Sequence, residues 1–147
     1  MTDMVTGSGI RLLVLDTNAW LFHYGLGPEP IVNLVRLVAR WFAKLGYRLG
    51  YTSPTLYEIR RSPRPEIARG QGKILRHMSS LGTMTGPSIW QLLDILDLVE
   101  PRHRLDAAIA IAAGGHMLLT LDPWLAVFRL SMGAKTLYLE PSISLDR

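Results

Sequence analysis

Asp16, Glu58, Asp106 and Asp122 stand at structured positions in a 147-residue chain that has twelve acidic residues against sixteen Lys and Arg, a formal net charge of +4. Carboxylates gathered in a basic protein repel one another and hold protons unless a cation neutralises them. Oxygen ligands from Asp and Glu, with no cysteine and no nearby histidine pair, select Mg²⁺ or Mn²⁺ over Zn²⁺. Such an ion lowers the pKa of a bound water and stabilises charge on a phosphoryl group under in-line attack. If the four acids converge, the chemistry they offer is hydrolysis of a phosphodiester.

The elements that must position them are legible around each acid. Asp16 ends the apolar run Leu12-Leu13-Val14-Leu15 and opens Thr17-Asn18-Ala19-Trp20, a buried strand running into a helix. Asp122 repeats that setting after Met117-Leu118-Leu119-Thr120-Leu121 and just before Pro123. Open parallel sheets place ligand crevices beyond such strand ends, so these two acids are expected in one crevice. Glu58 falls inside a helix announced by Ser53 as N-cap with Pro54 at its first position. Asp106 lies in the first turn of a helix from Leu105 to Ala113, which Gly114-Gly115 ends. Taken singly, Asp16, Asp106 and Asp122 are adequately explained as helix caps or dipole partners. Glu58 sits too deep to cap, though Arg61 three residues on could pair with it.

Strands at 11–16, 48–52, 117–121 and 135–139 alternate with helices at 18–24, Pro30–Leu45, around Glu58 and at 123–132, with two or three further helices between 65 and 113. Ser88-Ile89-Trp90-Gln91 reads as a capping box for the helix carrying Leu92, Leu93 and Leu96. Gly25–Pro28, Ser62–Pro65 and Thr83–Pro87 read as loops, none long enough to separate domains. The expected fold is a single α/β domain over 1–147 with its core at about 11–140, a three-layer sandwich around a small, mostly parallel central sheet. Charges at Arg36, Arg40 and Lys44 interrupt the longest apolar stretch, so no membrane helix is expected. The first nine residues lack a basic segment followed by an apolar one, and cysteine is absent. Both features fit a cytoplasmic protein without disulfides or thiolate metal sites.

Val14-Leu15-Asp16-Thr17-Asn18, Ser53-Pro54-Thr55-Leu56-Tyr57-Glu58-Ile59, the run Leu105-Asp106-Ala107 to Ala113, and Leu119-Thr120-Leu121-Asp122 occur in this order along the chain. Together they resemble the PIN-domain nucleases, in particular the VapC-type toxins of prokaryotic toxin–antitoxin pairs, from Arg11 to about Glu140. The resemblance implies a Mg²⁺- or Mn²⁺-dependent endoribonuclease with Asp16, Glu58, Asp106 and Asp122 as metal-binding, catalytic acids, and Asn18 and Thr120 as polar residues orienting them. It also implies a homodimer and an antitoxin protein as partner. Many members carry a further acid two residues after the last aspartate, followed by Phe; here Trp124 and Leu125 stand there. The alternative is a non-enzymatic PIN-like domain that binds RNA or a protein through a degraded metal site. A haloacid-dehalogenase-type phosphatase would need an aspartate where Asn18 stands.

An RNA substrate needs cations outside the acidic centre. From Arg60 to Arg76 the chain carries Arg60, Arg61, Arg64, Arg69, Lys73 and Arg76 against Glu66 alone. On a helix starting near Pro65, residues 69, 73, 76 and 77 share one face and Ile67, Ile74, Leu75, Met78 and Leu81 the other. Gly70 and Gly72 each weaken that helix by roughly 1 kcal/mol, which leaves its first turns loose until substrate binds. Arg102 and Arg104 form a second basic cluster beside Asp106, with His103 between them a surface residue. The Pro30–Leu45 helix carries Ile31, Leu34, Val35, Val38, Trp41, Phe42 and Leu45, a wider apolar stripe than one sheet face covers, which suits a protein interface.

Overall fold

Every residue of β1 (Arg11–Leu15) after Arg11 is buried, because helices cover the strand on both faces. Leu13 and Leu15 pack into one core with Trp20, Val35, Ile59 and Ile74; Leu12 and Val14 pack into another with Ile109 and Leu125. In the computed structural model, which describes residues 9–140, the chain continues as α1 (Thr17–Tyr24), α2 (Glu29–Lys44), β2 (Tyr47–Thr52), α3 (Ser53–Arg60), α4 (Pro65–Leu81) and β3 (Gly82–Thr85). It then forms α5 (Ile89–Leu96), a 3-10 turn at Pro101–His103, α6 (Arg104–Ala112), β4 (Met117–Thr120), α7 (Pro123–Ser131) and β5 (Thr136–Tyr138). The outer parts of the 1–147 span, including the first eight residues read for a signal, lie outside the described residues. No helix among the described residues is long and apolar enough to cross a membrane.

The five strands form one sheet in the order β3-β2-β1-β4-β5, and every pairing is parallel. Helices α1, α2 and α4, with Ile59 of α3, cover one face; α6 and α7 cover the other, and α5 packs outside α6 through Leu92 and Leu96. This is the expected three-layer α/β sandwich. Strand order reverses at β1, which has β2 on one side and β4 on the other, and ligand crevices form beyond the carboxyl ends of strands at such a point.

Four local expectations need correction. Thr83–Pro87 is not simply a loop: Gly82 to Thr85 pair with Leu49 to Thr52 as the edge strand β3, which makes the sheet wholly parallel. The N-cap of α3 is Thr52, whose hydroxyl accepts from the Thr55 amide, while Ser53 occupies the first helical position and Pro54 the second. Helix α4 runs unbroken through Gly70 and Gly72. Buried Ile67 and Ile74 anchor it, and the Gln71 amide donates to the carbonyls of Ile59 and Arg60 at 3.3 and 3.1 Å. His77 leaves the basic face of that helix and hydrogen bonds His23 at 2.9 Å beside Trp20 and Tyr24.

Two features lock the α6 layer. Gly86 has φ of +84°, and a Cβ there would lie 2.1 Å from the Ala112 carbonyl oxygen, so the loop after β3 rests directly on the end of α6. Gly86→Ala therefore combines a left-handed backbone with a main-chain clash, and is expected to cost more than about 1 kcal/mol, a fall of several degrees in Tm. Thermal melting that superimposes on the wild type would mean the loop stands clear of α6. Arg129 of α7 is fully buried, and its guanidinium donates to the carbonyls of Ala110, Gly114, His116 and Lys135 at 2.7 to 3.0 Å. It thereby ties the C-terminal end of α6 to the entries of β4 and β5.

Candidate metal centre

Asp16 follows the last residue of β1 and caps α1 with an extended backbone, at φ −71° and ψ 178°. One carboxylate oxygen accepts the Ala19 amide at 2.8 Å and the other accepts the Thr120 hydroxyl at 2.5 Å. That hydroxyl accepts the Asp122 amide at 3.0 Å, so Thr120 couples the ends of β1 and β4. Asp122 caps α7, one oxygen taking the amides of Trp124 and Leu125 at 2.8 and 3.3 Å. The caps expected from sequence are real, and they aim two carboxylates into the crevice where strand order reverses.

Glu58 reaches the same place from α3. The Thr17 hydroxyl donates to it at 2.5 Å and hydrogen bonds the Thr55 hydroxyl at 3.2 Å. Asp106 enters from the first turn of α6. Burial pushes the Asp106 carboxyl up to about 7, reinforced by the charges of Asp122, Glu58 and Asp16 and by a hydrogen bond with Asp122. Burial likewise pushes Asp16 up to about 6; the Thr120 and Ala19 hydrogen bonds oppose it, and the charges of Asp122 and Glu58 add to it. Glu58 is raised by burial and by Asp122, against the Thr17 hydrogen bond. Four elements thus deliver four acids to one place, with the Asp122 charge acting on the other three.

Thr17 stands in the run Val14-Leu15-Asp16-Thr17-Asn18 without a role of its own; its hold on Glu58, 41 residues away, needs the fold. Asn18 is exposed and makes no side-chain hydrogen bond to the acids among the described residues, whereas the hydroxyls of Thr17 and Thr120 bond Glu58 and Asp16. Arg61 does not pair with Glu58: its guanidinium lies over the Tyr57 ring, 4.3 Å from the centroid. Trp124 offers no ligand and is stacked between His103 and Phe128, at 4.1 and 5.0 Å between ring centroids. His103 is therefore a half-buried packing residue rather than a purely surface one.

The donor set suits a hard divalent cation in kind, since it is all carboxylate, and the burial and like charge that raise Asp16, Glu58 and Asp106 are what such a cation would offset. Among the described residues, no group of three or more His, Cys, Asp or Glu side chains is placed so that it could hold a metal ion. Solved structures share the architecture. A domain of a functionally unknown protein from Methanocaldococcus jannaschii DSM 2661 superposes with TM-score 0.55 at 19% identity over 88% of this chain and 91% of that one. A chain of VapBC2 from Rickettsia felis, solved bound to a DNA fragment from their promoter, superposes with TM-score 0.55 at 18% identity over 88% of this chain and all of that one. The fold is PIN-like. No family model matches the sequence, and no curated protein matches it.

Arg60 of α3, its C-cap Arg61, and Arg69, Lys73 and Arg76 of α4 are exposed. Arg64 is spent on an ion pair with Glu66 at 2.8 Å. Arg102 pairs with Glu100 at 3.0 Å, and half-buried Arg104 donates to the Val99 carbonyl at 3.0 Å. On α2, Ile31, Val32, Val35, Val38 and Ala39 are buried, Val32 included although it falls outside the expected stripe. Leu34, Trp41 and Leu45 remain exposed.

Proposed function

We propose that this protein is a Mg²⁺- or Mn²⁺-dependent endoribonuclease that hydrolyses RNA phosphodiester bonds, the toxin of a toxin–antitoxin pair. The observation that carries the reading is the convergence of Asp16, Glu58 and Asp106 on Asp122 beyond the carboxyl ends of β1 and β4, where the Asp122 charge acts on all three. These four would hold the cation, which when bound supplies an activated water and charge stabilisation at the phosphorus. Thr17 and Thr120 fix the carboxylates of Glu58 and Asp16, and the exposed cations of α3 and α4 attract the phosphate backbone. The exposed Leu34, Trp41 and Leu45 support a protein partner, either a second copy or an antitoxin. Purified protein incubated with single-stranded RNA is expected to cleave in Mn²⁺ and not in chelator. The stack at Trp124 favours a second reading, a PIN-like RNA-binding domain without catalysis; RNA bound but left intact across Mg²⁺ and Mn²⁺ concentrations would establish it.

The raised acids give a further check that needs no substrate. Asp16 and Asp106 hold protons in the folded state up to about 6 and about 7, above the ordinary carboxylate range of the unfolded chain. Their contribution to stability is therefore complete below about pH 4 and is lost as pH rises through about 7. In chelator these acids give Tm a downward slope from pH 5 to pH 8, set against the upward pull of His23, His77 and His116, whose imidazoles burial holds below their ordinary range. In millimolar Mn²⁺ the slope should flatten or reverse, because the cation binds the ionised acids of the folded protein alone. Parallel pH profiles with and without Mn²⁺ would exclude a cation site here.

A further inference from the structure

We propose that the groove between α3 and α5 holds an unpaired nucleobase of the RNA, stacked on Trp90, so that substrate enters as a single strand; this rests on the nuclease reading above. Helix α5 buries Ile89, Leu92 and Leu96, yet Trp90 beside them is 70% exposed. Trp90 forms one wall shared by two adjoining cavities of about 280 and 290 Å³, which also share Tyr57 and Ile89. Arg60 and Arg61 line the first cavity, and Arg104, which also donates to the Val99 carbonyl, lines the second together with the one acid, Asp97. Arg61 already lies over the Tyr57 ring.

Aromatic rings flanked by guanidinium groups form the platform on which unpaired bases stack, with the cations following the phosphates. The excess of cations favours a polyanion over an apolar protein segment as occupant. The groove is also continuous with the acids along the chain: Tyr57 precedes Glu58, and Arg104 lies two residues before Asp106, on helices α3 and α6 that pack together. A base held at Trp90 would direct the neighbouring phosphates toward the crevice. A duplex offers no free base face, so the groove selects unpaired RNA.

The test is anisotropy of a short labelled single-stranded RNA, and of a duplex of the same length, binding in chelator to wild type, Trp90→Ala and Trp90→Phe. Trp90→Ala should weaken single-strand binding about tenfold and leave duplex binding unchanged, while Trp90→Phe recovers most of the loss. The slope of log affinity against log salt should not change, since an indole releases no counterion, whereas Arg69, Lys73 and Arg76 changed together to Ala should flatten it. Wild-type affinity in Trp90→Ala, equal weakening for single strand and duplex, or a dimer that Trp90→Ala dissociates would overturn the proposal. If single-strand binding depends on Trp90 but Mn²⁺ supports no cleavage, the groove stands and the nuclease reading falls. If the wild type cleaves and Trp90→Ala binds equally well, the groove alone falls.

Discussion

Asp16→Asn is expected to lower Mn²⁺-dependent RNA cleavage by about a hundredfold or more, because losing a metal carboxylate removes several kcal/mol of charge stabilisation. The fold should survive. Asn also caps helices, so one oxygen can still receive the Ala19 amide, and the side-chain amide can turn toward the Thr120 hydroxyl. The variant also removes a charge that burial and two neighbouring acids oppose. In chelator near neutral pH its Tm should therefore match or exceed that of the wild type, and millimolar Mn²⁺ should stabilise it much less. Four melting curves and one cleavage assay decide the matter. Cleavage equal to wild type would remove Asp16 from the centre; a lower Tm in chelator, with no Mn²⁺ shift in the wild type, would reduce the four acids to independent caps.

Arg129→Ala is expected to produce the largest loss of stability. Four carbonyl groups would lose a charged donor together, and the space left between α6, α7 and β4 would have to collapse or fill with water. A cost of at least ~3 kcal/mol corresponds to a fall of about 10 °C for a domain of this size. Arg129→Lys should fall between, since one ammonium has three donors and cannot span the same fork. Circular dichroism melts of the three proteins measure it. An alanine variant within a few degrees of wild type would show that the four carbonyls find other donors.

The central strands were legible because a parallel strand buried on both faces must be a continuous apolar run, as Leu12–Leu15 and Met117–Leu121 are. Strand β3 was not, since Gly82-Thr83-Met84-Thr85 is a short, half-exposed edge whose residues also suit a turn; its pairing with β2 decides it. The cap of α3 moved by one residue because Thr52 and Ser53 are both capping types, and only the extended backbone of Thr52 separates them. The acids could be placed at strand and helix ends from local pattern. What holds them could not: Thr17 acts on Glu58, and Thr120 on Asp16, across long stretches of chain. Arg129 looks like any cation in the last turn of a helix until its four carbonyl partners are assembled.

The span of 104 residues between Thr120 and Asp16 has a consequence for timing during synthesis. A nascent chain ending after α5 already holds β1, β2 and β3 with the basic helix α4, but neither Asp106 nor Asp122. The crevice closes only when β4 slots against the free edge of β1, a contact between distant parts of the chain. On the ribosome, the basic face of α4 is thus complete, with Asp16 and Glu58, while Asp106 and Asp122 are still to be made.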